Sequence, residues 1–226
     1  MKIQTRKKSY IITAAVFLFL FFIVTLLTSG DSGFLIDESV GYWADGLSPP
    51  FVLKMMEVVS VLGSSEIILI VTVIIGLVLL IKLQWRNLFF FFTVSVGGVI
   101  VNFLLKMVIK RERPGEEVSY IEAFNMQLEI QSYSFPSGHT MRATILLLFI
   151  MYLTYLFASS QLVKVGSYVV YSILLILIAA SRIILDAHFM TDVIGALFAA
   201  TSWFFFVLYF FHKDERAMFS FNSRRF

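Results

Sequence analysis

The sequence has no cysteine, and it is poor in charged residues, in histidine and in proline. Without cysteine, thiolate chemistry and thiolate-held metal sites are excluded, and the redox compartment cannot be inferred. Only 15% of the 226 residues are charged, whereas 59% are hydrophobic and 25 are phenylalanine. The mean hydropathy is +0.87. This composition excludes a soluble protein and indicates an integral membrane protein.

Six apolar stretches are long enough to cross a bilayer as helices, for which about 18 apolar residues suffice. They cover approximately residues 9–28, 66–83, 88–109, 140–158, 165–184 and 192–211. We therefore expect residues 1–226 to form one all-α, polytopic membrane domain, a bundle of six transmembrane helices with short extracytoplasmic helices. The first stretch resembles a signal peptide, but it is too long and lacks a clear cleavage site, which favours a retained helix.

The two sides of the predicted bundle differ in charge. Six spans put both termini on one side, where only Asp214 and Glu215 are acidic, and thirteen of the fifteen acidic residues lie on the other. The basic residues of the terminal side are Lys2, Arg6, Lys7, Lys8, Lys82, Arg86, Lys164, Lys213, Arg216, Arg224 and Arg225. The positive-inside rule therefore predicts cytoplasmic termini in the cell membrane. We expect residues 212–226 to be an interfacial anchor, and a short helix from Phe51 to cap the bundle or to act as a lid.

Residues 181–192 hold four ionisable side chains between two apolar runs, where charge is costly without a role or a partner. If a helix begins near His188, Asp192 lies four residues on and on the same face. Its carboxylate then holds one ring nitrogen and leaves the other free to attack an electrophile. Arg182 offers a planar fork that matches phosphate oxygens. Asp186 repels a second phosphate, binds a substrate hydroxyl or only faces water, and we favour the last.

The segment from Pro136 to His139 directly precedes the fourth predicted span. Proline followed by Ser137 and Gly138 at a helix start exposes unpaired N–H groups and the positive end of the helix dipole, which together bind anions. The Ser137 hydroxyl can donate to a phosphate oxygen, and His139 can serve as proton donor. Arg142, one turn later, either joins the phosphate site or pairs with an acidic loop residue.

Lys106 and Arg113 lie at the outer end of the third predicted span, seven residues apart. Two helical turns separate them, so both can point at one pocket. Alone, they would be interpreted as side chains that extend to lipid head groups. With Arg182 and both motif histidines at the same face, however, three cations and a helix N-terminus converge on a strongly anionic group. Phosphate is the obvious candidate.

These residues resemble a known signature. Lys106-x6-Arg113-Pro, Pro-Ser-Gly-His139 and Ser-Arg182-x5-His188-x3-Asp192 are similar, in order and spacing, to the three motifs of the type 2 phosphatidic acid phosphatase superfamily. The resemblance implies that His188 attacks phosphorus and that Asp192 orients its ring. It implies that His139 protonates the leaving alkoxide and later activates water. The remaining roles in binding the phosphoryl group would fall to Lys106, Arg113, Ser137, Gly138 and Arg182.

The resemblance also implies an enzyme without metal or other cofactor, acting at the outer leaflet. The expected substrate is a membrane lipid phosphate, first phosphatidylglycerophosphate and then phosphatidic acid, and no nucleic-acid partner is expected. An undecaprenyl diphosphate phosphatase of the same family is the nearest alternative, since the motifs bind the phosphate and not the tail. A transporter would carry its charges near mid-span and show inverted repeats. A haloperoxidase would not need a membrane pocket.

Overall fold

The computed structural model describes residues 2–28, 31–46, 49–114, 121–123, 126–128 and 133–211. These residues form eight helices and a short antiparallel hairpin. The helices are α1 (Lys2–Thr28), α2 (Asp31–Gly46), α3 (Pro50–Val61), α4 (Ser65–Ile81), α5 (Trp85–Ile109), α6 (Gly138–Phe157), α7 (Gln161–Ile184) and α8 (Met190–Phe211). The hairpin lies between α5 and α6 and consists of β1 (Ile121–Ala123) and β2 (Met126–Leu128).

The predicted fold, an all-α bundle with six membrane-spanning helices, is confirmed in the described part of the chain. Segments long and apolar enough to cross a membrane are Lys7–Thr28, Pro50–Ile81, Trp85–Ile109, Gly138–Phe157, Gln161–Ile184 and Met190–Phe211. The second of them contains both α3 and α4, joined by a turn at Gly63. The predicted second span corresponds to α4 alone. The other predicted limits differ from the helix ends by a few residues.

Helices α6 and α8 lie at the centre of the bundle. Helix α8 contacts α1, α5, α6 and α7, and α6 also contacts α4, α5 and α7. The ring of Phe90 in α5 joins them, with its centroid 5.6 Å from Phe149, 5.2 Å from Tyr152 and 5.4 Å from Phe204. Such tilted and edge-on contacts stabilise aromatic clusters. The second and third motifs therefore lie at the N-terminal ends of the two most enclosed helices.

Helices α4, α5 and α7 turn large apolar side chains outward. Leu69, Ile74, Ile100, Phe103 and Ile176 are each more than half exposed. In water such a continuous apolar surface would promote association, whereas lipid tails solvate it. These three helices consequently present their outer faces to the bilayer.

One end of the bundle holds the C-terminal end of α5 and the short helices α2 and α3. Helix α5 ends at Ile109 because Lys110 adopts a left-handed conformation (φ 51°) and its N–H donates to the carbonyl of Lys106. Helices α2 and α3 pack against α7, and α2 also packs against α8. The short helix predicted from Phe51 is α3. The predicted anchor of residues 212–226 lies outside the described residues, as does most of the acidic loop before α6.

Candidate active site

The three motifs meet at one end of the bundle, where α5 ends and α6 and α8 begin. The Ser134 N–H donates to the carbonyl of Arg111 at 2.7 Å, and the Ser137 N–H donates to the main-chain carbonyl of Asp192 at 3.1 Å. These backbone bonds fasten the segment before α6 to the end of the first motif and to the start of α8. Residues far apart in the sequence are thereby held around one site.

His188 itself lies just outside the last helix, although the helix does begin near it, as the sequence predicted. Helix α8 begins at Met190, because the Asp192 carboxylate reaches back to accept the Phe189 N–H at 3.0 Å and caps the helix there. The N–H groups of Ala187 and His188 instead donate to the carbonyl of Arg182. The pairing nevertheless forms, with Nδ1 of His188 3.4 Å from Oδ2 of Asp192.

The Asp192 carboxylate is fully buried and is held on both of its oxygens. Oδ1 accepts a hydrogen bond from Nη1 of Arg111 at 2.6 Å, while Oδ2 accepts the Phe189 N–H and faces His188. Nδ1 of His188 has no closer partner, and 3.4 Å is longer than an ordinary N–H···O bond. The carboxylate is thus fixed in place, and the ring is close enough to tighten onto it when charged.

Burial lowers the pKa of His188 to about 4. The Asp192 carboxylate opposes this shift by stabilising the protonated ring, and the charges of Lys106 and Arg113 add to it. At neutral pH the ring of His188 is therefore uncharged. A neutral imidazole has a nitrogen lone pair available for nucleophilic attack.

The N-terminus of α6 is built by Ser137, Gly138 and His139. Ser137 caps the helix, since its Oγ accepts from the Thr140 N–H at 3.5 Å and the Thr140 hydroxyl at 3.1 Å, and its own proton is left to donate. A Cβ on Gly138 would lie 3.1 Å from Nη1 of Arg142, so the backbone there stays close to the guanidinium. His139 is near enough to His188 for the two charges to interact.

The predicted cations surround these rings, but not by the predicted route. Helix α5 ends at Ile109, so Lys106 and Arg113 are not two turns apart on one helix; the left-handed Lys110 ends the helix before Arg113. Lys106 Nζ donates to the carbonyls of Tyr133 and Ser134. The charge of Arg113 interacts with those of Lys106, His139, His188 and Arg182.

Arg182 approaches the site from the last turn of α7. Its Nη1 donates to the hydroxyl of Ser60 in α3 at 2.5 Å, and its buried Nε has no hydrogen-bond partner. A guanidinium that is partly anchored and partly unsatisfied can still bind an oxyanion. The structure therefore brings all eight of the site residues predicted from the sequence together at one end of the bundle.

The model of one protein family, described as the PAP2 superfamily, matches residues 67–216, a segment that holds all three motifs. The chain belongs to the PAP2 superfamily. It is 28% identical over 186 residues to phosphatidylglycerophosphatase B of Bacillus subtilis (strain 168), an alignment that covers 80% of this chain and 85% of that protein. The recognised resemblance is thereby confirmed.

Two solved structures resemble the bundle. The crystal structure of the first transmembrane PAP2 type phosphatidylglycerolphosphate phosphatase from Bacillus subtilis matches with a TM-score of 0.73 and 25% identity, covering 95% of this chain and 98% of that one. The crystal structure of Aquifex aeolicus LpxE matches with a TM-score of 0.56 and 17% identity, over 75% and 93% of the two chains, and supports the fold alone. This PAP2 superfamily member is a membrane lipid phosphatase, a phosphoric monoester hydrolase, as the sequence predicted.

Several residues of the PAP2 site were not found from the sequence. Arg111, Asp37 and Thr191 form a buried network behind Asp192, and Asn102 donates to the carbonyl of Pro136 at 3.1 Å. Arg111 lies within the first motif, but it occupies one of the unspecified positions between Lys106 and Arg113, so the motif does not identify it as a site residue. Asn102 is a polar residue in an apolar stretch of α5, which was the only available signal for it, whereas Asp37 lies in the mixed sequence of α2 next to Glu38, where nothing marks it.

Arg142 and Asp186 have different surroundings in this PAP2 superfamily member. Arg142 interacts electrostatically with His139 and with Glu66, and its buried Nε has no partner. Asp186 is exposed, with φ at 50°, and burial together with the charge of Asp45 raises its pKa. Asp186 therefore faces solvent at the turn before His188, which agrees with the interpretation we favoured.

Within the described ranges, no three His, Asp or Glu side chains are grouped so that they could hold a metal ion. Asp192 and Asp37 are the buried carboxylates near the rings, and Arg111 lies between them. An arginine at that place would repel a divalent cation.

Proposed function

We propose that this phosphatase removes the terminal phosphomonoester of phosphatidylglycerophosphate through a phosphohistidine intermediate, without a metal ion. The whole chain, residues 1–226, would serve as one membrane domain for this reaction. The observation that carries the proposal is a buried, neutral imidazole beside a buried carboxylate, at a helix N-terminus surrounded by lysine and arginine. That combination provides a nucleophile, its orienting group and an anion site.

In the first step, Nε2 of His188 attacks phosphorus, and the bond from phosphorus to the glycerol oxygen breaks. The proton on Nδ1 faces Asp192, which keeps Nε2 unprotonated and offsets the positive charge that develops on the ring. His139 donates a proton to the leaving alkoxide. The products of the step are the dephosphorylated lipid and a phosphate bonded to Nε2 of His188.

In the second step, a water molecule attacks the same phosphorus and the phosphorus–nitrogen bond breaks. His139, now without its proton, accepts one from the water as it attacks. Inorganic phosphate leaves, and His188 returns to its neutral form. One histidine thus acts as acid and then as base.

The phosphoryl oxygens carry the charge of both transition states. Lys106, Arg113 and Arg182 supply fixed positive charge, while Ser137 and the Gly138 N–H supply hydrogen bonds at the start of α6. Preorganised donors of this kind stabilise charge most where water is excluded. In the free enzyme, Lys106 donates to backbone carbonyls and Arg182 to Ser60, so these bonds are exchanged when phosphate binds.

A lipid tail has a place beside the site. A cavity of about 330 Å³ lies between α4, α5 and α6, lined by apolar side chains such as Ile68, Val99 and Leu146, and Arg142 forms part of its wall. The volume is in the range typical of ligand sites. A lipid with its tail in this cavity would present its head group toward the N-terminus of α6. The relative in Bacillus subtilis is itself named a phosphatidylglycerophosphatase.

We place the site on the extracytoplasmic side of the cell membrane, with both termini cytoplasmic. The support is the charge distribution of the sequence, in which the terminal side is basic and the side with the motifs holds most carboxylates. In this orientation the substrate is taken from the outer leaflet, and phosphate is released away from the cytoplasm.

The proposal is tested by a substrate panel in chelator, with phosphatidylglycerophosphate, phosphatidic acid and undecaprenyl diphosphate, and by alkaline quenching to trap the phosphorylated residue. We expect the highest kcat/KM with phosphatidylglycerophosphate and the label on His188. A preference for undecaprenyl diphosphate would support the alternative substrate, and a requirement for added divalent metal would overturn the mechanism.

The three histidines of the chain provide matched variants for the same assay. We expect His188→Ala to abolish both turnover and the phosphorylated intermediate. His212→Ala, which removes a histidine at the other end of the last span, should retain both. Appreciable turnover by His188→Ala would remove His188 as the nucleophile.

A further inference from the structure

Helix α2 contributes a buried carboxylate to the region behind the active site. The side chain of Asp37 has no exposed surface. Its Oδ1 accepts the Thr191 N–H at 2.9 Å, and its Oδ2 accepts the Thr191 hydroxyl at 2.6 Å and Nη2 of Arg111 at 2.5 Å. Every one of these donors comes from a segment that carries a motif. Asp37 is therefore bonded to the site and not merely adjacent to it.

Arg111 joins this carboxylate to the one beside the nucleophile. Its Nη2 donates to Asp37, while its Nη1 donates to Oδ1 of Asp192 at 2.6 Å and to the Thr191 hydroxyl at 2.7 Å. The guanidinium carbon lies 4.2 Å from the ring centroid of Phe189, which covers one face of the group. A planar fork held at both ends has one orientation. The position of Asp192 is thereby fixed through Arg111.

The arrangement also sets the charge that His188 experiences. Asp192 alone would be a full negative charge next to the ring, whereas Arg111 on its other oxygen offsets part of that charge. Asp37, on the far side of Arg111, restores part of it. Both carboxylates are fully buried and the Arg111 side chain is only 14% exposed, so water screens their interaction little.

We propose that Asp37 and Arg111 are positioning residues for the phosphoryl transfer: they hold the Asp192 carboxylate and balance its charge toward His188, so that α2 belongs to the catalytic machinery. The proposal rests on the proposed function, in which Asp192 orients the nucleophile. A contact that only fastened α2 to α8 would need Asp37 and Thr191 alone. The second bond of Arg111, to the carboxylate at the ring, is what couples α2 to the reaction.

The two charges should act on the nucleophile in opposite directions. Arg111→Gln removes the cation that offsets Asp192, so the protonated ring of His188 is stabilised and the acid limb of the kcat/KM profile moves up by about one pH unit. Asp37→Asn removes the second carboxylate that Arg111 binds, so Arg111 offsets more of the Asp192 charge. The protonated ring of His188 is then less stable, and the acid limb of the kcat/KM profile moves to lower pH. The other charged groups that face His188 are Lys106 and Arg113 and the ring of His139, and they are the same in every variant.

The experiment measures kcat, KM and the pH profile for the wild-type full-length protein and the variants in detergent, with phosphatidylglycerophosphate. We expect Arg111→Gln and Asp37→Asn to lower kcat by roughly tenfold or more with little change in KM, because the ground-state contacts of the phosphate are untouched. Arg111→Lys keeps the charge and loses the fork, so kcat should fall while the acid limb stays in place. The substrate's own ionisation is common to all profiles and cancels in the comparison.

Lys54→Gln is the matched control, since it removes one cation from an exposed pair with Glu57 in α3. It should change neither kcat nor the acid limb. Loss of kcat in Arg111→Gln and Asp37→Asn without opposite shifts of the limb would overturn the proposal. If those two variants do not fold, an unchanged kcat in Arg111→Lys would overturn it. A wild-type enzyme without lipid phosphatase activity or phosphohistidine would instead refute the proposed function.

Discussion

At Asp192 the two carboxylate oxygens have different partners, and this division is what would let the residue orient the proposed nucleophile. Oδ1 is taken by Arg111, which leaves Oδ2 to cap α8 and to face Nδ1 of His188. A carboxylate that is held on both oxygens cannot rotate away from the ring. The 3.4 Å separation then allows the bond to shorten as the ring gains charge.

Asp192→Asn should leave the fold intact and slow phosphorylation of His188 by about two to four orders of magnitude. The amide keeps the shape but cannot stabilise a positively charged ring, and loss of the orienting carboxylate has effects of this size in other histidine-based sites. Single-turnover kinetics with a quenched phosphoenzyme would measure it. A loss below tenfold, in protein that remains monodisperse, would contradict the role.

The enzyme should stay active well below the pH at which an ordinary histidine becomes protonated. Because burial lowers the pKa of His188 from about 6.5 to about 4, the neutral nucleophile persists as the pH falls and is lost only near pH 4. The check is kcat/KM against pH, corrected for the ionisation of the substrate phosphate. A corrected profile with its acid midpoint near 6.5 would contradict a desolvated ring.

At the same scale, the sequence predicts the residues that surround the proposed phosphate position and not those behind them. His188, Asp192 and the cations could be found because their spacing is unusual for apolar spans. Asp37 could not, because its partners Thr191 and Arg111 lie far away in the sequence and only the packing of α2 brings them together.

Among the helices, the length of α5 is predicted by its apolar pattern, whereas the path of the chain beyond its end is not. Length and hydropathy predict its end at Ile109, but not the left-handed Lys110 that turns the chain and redirects Arg113. Likewise the last span is predicted, whereas its start at Met190 depends on a cap by Asp192. Side-chain hydrogen bonds decide such ends, and an apolar pattern does not report them.

Gly98 of α5 packs against the Ile145 side chain of α6. A Cβ there would lie 2.2 Å from Cδ1 of Ile145, and because that atom is the movable end of its side chain, we expect Gly98→Ala to lower the free energy of unfolding by only about 1 kcal/mol. Ile145→Val, which removes that Cδ1, should restore most of the loss in the double variant. Thermal unfolding in detergent measures both, and strictly additive losses would contradict this packing.

For the whole molecule, the absence of cysteine allows a direct test of orientation. We expect Lys164→Cys, in the first turn of α7, to react with a membrane-impermeant maleimide only after lysis, and Asp45→Cys, near the end of α2, to react in intact cells. Each variant starts from a cysteine-free background, so each label has one source. Labelling of Lys164→Cys in intact cells would contradict cytoplasmic termini.

The account depends on two imidazoles that share one phosphate. The most direct measurement is a crystal structure of the enzyme with bound orthovanadate, an ion that adopts the geometry of phosphorus under attack. We predict one vanadium atom bonded to Nε2 of His188, with an apical oxygen in hydrogen-bond reach of His139 and equatorial oxygens on Arg113, Arg182 and the start of α6. Vanadate bound away from His188, or contacting only one of the two rings, would contradict it.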